Sequence, residues 1–178
     1  MKYTTSEVTF REIPDEITLC INISDCPIHC PDCHSKELWN DVGTELTPDE
    51  FERLIKANPG ITCVCFMGGD AHYRELLELS TRFIAIKHRL NLEGRLKLAL
   101  YSGRESFEEL RRLIGDEAYF YDYVKVGSYK KELGGLDSPT TNQVLYMIDG
   151  HGNVHDITSK FWRNGTESND KGAVEMAG

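Results

Sequence analysis

The sequence predicts an α/β fold in which parallel strands alternate with crossover helices. Short apolar and β-branched runs alternate with segments whose apolar residues recur at helical spacing, an order that implies a parallel sheet with right-handed crossovers. The chain has 178 residues, whereas a closed eight-fold barrel typically needs about 250. We therefore expect a truncated, open (β/α) partial TIM barrel with parallel strands and a C-terminal hairpin.

The strands are predicted where β-branched or apolar runs are bounded by turn residues. These runs cover residues 17–23, 61–67, 96–101, 121–126 and 142–148. The second run is apolar almost throughout, as expected of a strand that is buried on both faces. A turn cluster then precedes a shorter run at 154–158, which we expect to return as the second strand of a hairpin.

The helices are predicted from the residues at their ends. Thr47, with Glu50 three residues later, has the spacing of a capping box and begins a helix that ends at 58–60. A longer amphipathic helix is predicted over 73–90. Ser106 caps the start of another helix, which extends to about residue 114.

Composition and charge limit the class of protein. We expect a single domain over residues 1–163 and a polar, poorly ordered tail over 164–178. A formal net charge of −9 argues against broad binding to nucleic acid or to anionic membranes. No apolar run reaches the ~20 residues that span a bilayer. The first residues lack the apolar stretch of a secretory signal, so we expect a cytoplasmic protein.

The most informative motif is the run of Cys26, Cys30 and Cys33, with the spacing C-x3-C-x2-C. Thiolates are soft ligands that suit iron–sulfur clusters. A cubane 4Fe-4S cluster has four irons, and three cysteines leave one iron open to a substrate, as in a catalytic metal site with a free position. The sequence therefore predicts a cluster of this kind on these three cysteines.

Other uses of cysteine fit less well. Structural zinc sites usually combine two separated ligand pairs, and a second pair is not evident here. Disulfides need an oxidising compartment, and an electron-transfer ferredoxin normally supplies four ligands to each cluster. Cys63 and Cys65 alternate along a predicted strand, so they share one face, and we interpret them, with Cys20, as core residues. His151 and His155 flank a predicted turn and are interpreted as surface residues.

Several motifs follow the carboxyl ends of predicted strands, where parallel α/β folds bind ligands. The cysteine run follows the first strand, Gly68, Gly69 and Asp70 follow the second, and Ser102 follows the third. Glycines at such ends let the backbone approach a ligand closely. These residues are therefore candidates for binding a molecule beside the cluster.

The cysteine spacing closely resembles the signature of the radical S-adenosylmethionine superfamily. The loop continues through His34 to Leu38 and Trp39, which is similar to the cluster loop of anaerobic ribonucleoside-triphosphate reductase activating proteins. Further segments are similar to that family in the same order, so that the resemblance covers about residues 17–148. These segments are Tyr101-Ser102-Gly103, Tyr121 to Gly127, and Thr141-Asn142-Gln143.

The resemblance implies a cofactor pair: one 4Fe-4S cluster and S-adenosylmethionine. Besides the cysteines, the residues implied to contact S-adenosylmethionine are His34, Gly68, Gly69, Asp70 and Ser102, with Asp70 standing where the family usually has Glu. We expect no catalytic side chain beyond these cluster and cofactor ligands.

The resemblance also implies a protein substrate, the large glycyl-radical subunit of an anaerobic ribonucleotide reductase. The implied activity is reductive cleavage of S-adenosylmethionine and generation of a glycyl radical on that subunit, with an external one-electron donor such as flavodoxin, in an anaerobic cytoplasm. Two alternatives stay open: a radical enzyme that acts on a small molecule, and a non-catalytic iron–sulfur electron carrier.

Overall fold

The computed structural model describes residues 1–165 of the chain. The strands and helices follow in chain order. They are β1 (Lys2–Thr9), β2 (Thr18–Ile23), β3 (Thr44–Glu45), α1 (Pro48–Ala57), β4 (Cys63–Met67), α2 (Tyr73–Arg89), β5 (Lys97–Tyr101), α3 (Phe107–Ile114), β6 (Tyr123–Val126), β7 (Val144–Ile148) and β8 (Val154–Asp156). Three short 3₁₀ segments, Lys36–Trp39, Gly115–Phe120 and Thr158–Gly165, connect or follow them.

The strands form one eight-stranded mixed sheet in the order β3-β1-β2-β4-β5-β6-β7-β8. The four central strands, β2, β4, β5 and β6, are parallel, and the strands outside them pair antiparallel. The α/β class and the C-terminal hairpin of β7 and β8 are confirmed. The prediction of parallel strands holds for the central four and is wrong for β7, because a loop without a crossover helix joins β6 to β7.

The sequence pattern does not predict β1. Its residues are mostly polar, and several are exposed. β1 lies between β2 and the short edge strand β3, outside the four parallel strands. A strand at this position needs little apolar surface, so the apolar signal used for the other strands is missing.

The predicted helix starts are confirmed by their caps. The Thr47 hydroxyl accepts a hydrogen bond from the Glu50 amide at 3.2 Å, and the Ser106 hydroxyl accepts one from the Glu109 amide at 3.1 Å. The Glu50 carboxylate does not complete a capping box; it accepts hydrogen bonds from Tyr3 and Arg53 instead. This contact fixes the start of α1 to β1.

The three α-helices pack on one face of the sheet, here called the outer face. Phe51 of α1 contacts Phe66 of β4 and Phe83 of α2, with ring centroids 5.4 and 6.3 Å apart, and all three side chains are fully buried. Burying each ring contributes ~1.5–3 kcal/mol. This core fixes the strands whose carboxyl ends carry the predicted site.

The opposite, inner face carries the three cysteines that lie outside the cysteine loop. Cys20, Cys63 and Cys65 are buried there with Ile13, which comes from the connection between β1 and β2. The interpretation of these cysteines as core residues is confirmed. At the amino ends of the strands, the Glu16 carboxylate accepts hydrogen bonds from Lys97 and Tyr123 and covers the same face.

Two further features concern membrane-spanning helices and the C-terminal residues. Among residues 1–165, no helix is both long enough and apolar enough to cross a bilayer. The predicted tail over 164–178 lies outside the described residues, apart from its first two positions, which belong to the last 3₁₀ segment.

Candidate metal centre

The cysteine loop leaves the carboxyl end of β2 and folds back on the segment that follows it. Asp25 and His29 have positive φ angles of 62° and 50°, which turn the chain sharply. The Cys26 amide donates to the Leu38 carbonyl at 2.8 Å, and the Asp25 amide donates to the Asn40 carbonyl at 3.1 Å. The 3₁₀ segment Lys36–Trp39 therefore holds the loop in place.

Cys26, Cys30 and Cys33 line a common cavity of about 200 Å³, here called the cysteine cavity. Its floor is the last row of side chains on the four parallel strands. In this row Asn22, Met67, Tyr101 and Lys125 are partners in register, and all four line the cavity. The predicted meeting of the cysteine loop with the strand ends is thus what the structure shows.

The chemistry of this cavity fits a thiolate-bound cluster. The three thiols surround a shared space, and the Ser35 amide donates a hydrogen bond to the Cys33 sulfur at 3.4 Å. Burial raises the pKa of the Cys26 thiol, against hydrogen bonds from the Ile28 and His29 backbone that lower it, so metal coordination would replace a tightly held proton. Within residues 1–165 no three Cys, His, Asp or Glu side chains are arranged around a single metal ion.

Trp39 adds a second observation on the same cavity wall. Its indole N–H is buried and has no hydrogen-bond partner within the described part of the chain. Its ring stacks on His29 with centroids 4.8 Å apart, so its position is fixed. A cluster has sulfur atoms that accept hydrogen bonds, and an unpartnered donor on this wall suits such a group.

The two glycines after β4 have different surroundings. Both have φ near +99°, a conformation that a side chain rarely adopts. Gly68 lines the cysteine cavity, and its amide donates to the Tyr101 carbonyl at 2.9 Å. Gly69 lies against α2 instead, where an added Cβ would come within 2.9 Å of the Leu76 side chain. Gly68 therefore has the position of a ligand contact, whereas Gly69 allows the helix to pack.

Asp70 and Ser102 are bonded to each other. Asp70 is 5% exposed and accepts hydrogen bonds from the Ser102 hydroxyl at 2.6 Å, the Gly103 amide at 2.8 Å and the Tyr73 hydroxyl at 3.0 Å. The Ser102 hydroxyl in turn accepts a bond from the Arg104 amide at 3.1 Å. Both predicted contact residues line the cysteine cavity, and their mutual bond joins the carboxyl ends of β4 and β5.

His34 lies outside the cysteine cavity, whereas its neighbours Cys33 and Ser35 line it. Its ring is 4.7 Å from that of Tyr129, tilted by 54°. It lines an adjoining cavity rather than the cysteine cavity. Its predicted contact with the adenine of S-adenosylmethionine stays a prediction.

Lys125 also lines the cysteine cavity and was not predicted from the sequence as a site residue. Its ammonium group lies on the inner face, donates to the Gly127 carbonyl at 2.7 Å and is 5.8 Å from the centre of the Tyr101 ring. Burial lowers the pKa of this lysine to about 8, although the nearby Cys30 and Asp70 raise it. The available signal was a single lysine in an otherwise apolar strand, which a search for apolar runs passes over.

A family model described as a 4Fe-4S single cluster domain matches residues 17–133. The chain belongs to this family. No curated protein and no solved structure matches the chain. The matched segment contains the cysteine loop, all four parallel strands and the residues of the cysteine cavity up to Tyr129. This 4Fe-4S protein therefore carries its cluster domain in the part of the fold that the structure organises around the three cysteines.

Proposed function

We propose that this iron–sulfur protein is a radical S-adenosylmethionine enzyme that generates a glycyl radical on an anaerobic ribonucleotide reductase. One observation carries the proposal: Cys26, Cys30 and Cys33 share a cavity with Gly68, Asp70 and the other strand ends. The cavity offers thiol ligands on one side and backbone and charged groups on the other. Such a site suits a cluster together with a second, polar cofactor.

The ligand count supports an iron that is open to substrate. The chain has six cysteines, of which Cys20, Cys63 and Cys65 are buried on the inner face and are not part of the cavity wall. Burial raises the pKa of Cys63 and Cys65 well above the usual range, which disfavours their thiolates. Three ligands for four irons leave one coordination position to an exogenous molecule.

When bound, a 4Fe-4S cluster supplies one electron to the sulfonium of S-adenosylmethionine. We assign the orientation of that cofactor to residues of the cavity. The Lys125 ammonium would attract the methionyl carboxylate, and the Gly68 backbone would let the amino end approach. The bond from Ser102 to Asp70 keeps the two strand ends at a fixed separation.

The shape of the sheet supports a protein substrate. We interpret the four parallel strands and their crossover helices as a truncated, open partial barrel, within a sheet whose two edges are β3 and β8. A closed barrel would enclose a metabolite, whereas an open side admits a loop of another protein. The proposed overall reaction consumes S-adenosylmethionine and one electron and moves one hydrogen atom from the Cα of the substrate glycine to the 5′-deoxyadenosyl carbon, so that it yields methionine, 5′-deoxyadenosine and a glycyl radical. The electron comes from an external donor such as flavodoxin, and the setting is an anaerobic cytoplasm.

The test uses the cluster-loaded protein with S-adenosylmethionine, a reductant and the purified reductase subunit. We expect 5′-deoxyadenosine and methionine by chromatography, and a glycine-centred doublet by electron paramagnetic resonance. The doublet should disappear when the radical glycine of the reductase is changed to alanine.

Two other outcomes would contradict part or all of the proposal. A doublet on a different glycyl-radical enzyme, with none on the reductase, would keep the chemistry and refute the assigned partner. A loaded cluster that binds no S-adenosylmethionine in calorimetry would refute the proposal in favour of an electron carrier.

A further inference from the structure

A second cavity of about 490 Å³ adjoins the cysteine cavity. The two share Tyr101, Lys125 and Tyr129 as walls. We call the second one the Gln143 cavity, after the residue on its inner side. Its outer walls come from the connection before β2 and from the loop before β7, where Arg11 and Asp137 are exposed. The cavity therefore extends from the cofactor region to the protein surface.

Gln143 is placed to serve this cavity. Gln143 comes directly before β7, and Leu145, two residues later, lies on the inner face, so the alternation of β7 extended by one residue puts Gln143 on that face. Lys125 and Leu145 are partners in register, which puts Gln143 beyond Lys125, at the carboxyl-end side of the parallel strands. The side chain of Gln143 belongs to the cavity wall.

Within residues 1–165, the side-chain amide of Gln143 is free to bond a ligand. The residue is 7% exposed, and among residues 1–165 its backbone amide bonds to Thr141 while its side chain makes no hydrogen bond. Among the described residues, the buried side-chain atoms without a partner do not include those of Gln143, so its amide keeps contact with solvent in the cavity. A ligand that fills the cavity would displace this solvent and would have to pair with the amide in its place.

The chemistry of the wall indicates what that ligand is. A primary amide presents an N–H donor and a carbonyl acceptor side by side, which complements a peptide group. Leu136 and Phe161 supply partly buried apolar surface on the same wall, and Glu12 supplies a carboxyl group. Because the cavity is open at the surface, a chain segment can enter while its flanks remain outside.

We propose that the Gln143 cavity receives the glycine-bearing backbone of the protein substrate, and that the Gln143 side chain pairs with a peptide group of that segment. The proposal rests on the proposed function and specifies how its substrate is held. The shared wall of Tyr101, Lys125 and Tyr129 brings the bound backbone next to the cofactor region. A residue without a side chain at the reacting position allows the closest approach.

The test measures peptide binding by fluorescence anisotropy with the cluster-loaded protein and S-adenosylmethionine, without reductant. The probe is a labelled heptapeptide with a central glycine, copied from the radical-site loop of the reductase. Gln143→Leu should raise the Kd about tenfold, which corresponds to ~1.4 kcal/mol. Glu132→Leu, which also replaces a polar side chain by leucine but at an exposed position of the same loop, should leave the Kd unchanged.

A second probe carries N-methylglycine in place of glycine and lacks one peptide N–H. It should bind the wild type more weakly than the glycine peptide, and the difference should shrink in Gln143→Leu, because both changes remove the same pair. Should Gln143→Leu fail to fold, Gln143→Glu keeps the shape, loses the donor and should likewise raise the Kd.

The two proposals fail in different ways. If the wild type cleaves S-adenosylmethionine and the Gln143 variants bind the peptide as tightly as Glu132→Leu does, the inference about Gln143 is overturned and the proposed function stands. If the loaded wild type neither binds nor cleaves S-adenosylmethionine, the proposed function fails and the inference fails with it.

Discussion

Replacing Asp70 by asparagine tests whether the buried carboxylate joins the carboxyl ends of β4 and β5. Asp70 accepts three hydrogen bonds while only 5% exposed. Its first carboxylate oxygen accepts from Ser102 and Tyr73, and the second accepts from the Gly103 amide. Asparagine has the same shape but carries a donor at one of these two positions.

The cost follows from the partners. Hydrogen bonds to a charged group contribute ~1.5–3 kcal/mol each and neutral ones ~0.5–1.5. If the asparagine NH₂ faces Gly103, two donors oppose each other. If it faces Ser102 and Tyr73, the hydroxyl protons lose their acceptor. Either orientation weakens the remaining bonds and leaves buried donors unpaired, so we expect Asp70→Asn to lower the free energy of unfolding by about 2–4 kcal/mol.

The assay is urea unfolding of the cluster-free protein under reducing conditions, followed by circular dichroism. Asp116→Asn, at an exposed position, is the matched control and should change the free energy of unfolding by no more than ~0.5 kcal/mol. Ser102→Ala combined with Asp70→Asn should show a coupling of ~1 kcal/mol or more. An Asp70→Asn protein as stable as the control would refute the reasoning, because it would show that the carboxylate carries no such bonds.

Three other predictions address the cluster, the pH dependence and the glycine turn. Cys26→Ala should abolish the 4Fe-4S absorbance after reconstitution with iron and sulfide, whereas Cys63→Ala should keep it; a cluster that needs Cys63 and not Cys26 would overturn the ligand assignment. Although burial raises the pKa of Glu16, hydrogen bonds from Lys97 and Tyr123 outweigh it and lower that pKa on balance. The stability that Glu16 provides is therefore present above its unfolded pKa of ~4.3 and is lost as the pH falls through the lower folded value. In urea unfolding, the difference in free energy of unfolding between the wild type and Glu16→Gln should shrink as the pH falls below ~4.3. A difference that stays constant with pH would contradict this. Gly69→Ala should lower the thermal unfolding temperature more than Gly60→Ala does. Both glycines have positive φ, but an added Cβ meets another side chain within 4 Å at Gly69 and nothing at Gly60. Equal losses would show that the contact at Gly69 is relieved by movement.

Much of the fold and the main chemical motif could be predicted from the sequence. The caps at Thr47 and Ser106, the apolar runs of the central strands and the C-terminal hairpin depend on residues close together in the chain. The cysteine spacing likewise has its meaning within a few residues. Cys63 and Cys65 were predictable as core residues because strand alternation puts them on one face.

The tertiary structure decided the features that depend on distant partners. The direction of β7 follows from a loop that contains no crossover helix, and β1 exists as a strand because β2 offers it an edge. Whether Asp70 faces a ligand or Ser102 depends on how the ends of β4 and β5 meet. Lys125 and Gln143 line the cavities only because the register of β6 and β7 places them there. Local residue patterns determine which helices and strands form. The packing of separate elements determines which side chains share a site, because the free energy of that packing comes from contacts between residues far apart in the chain.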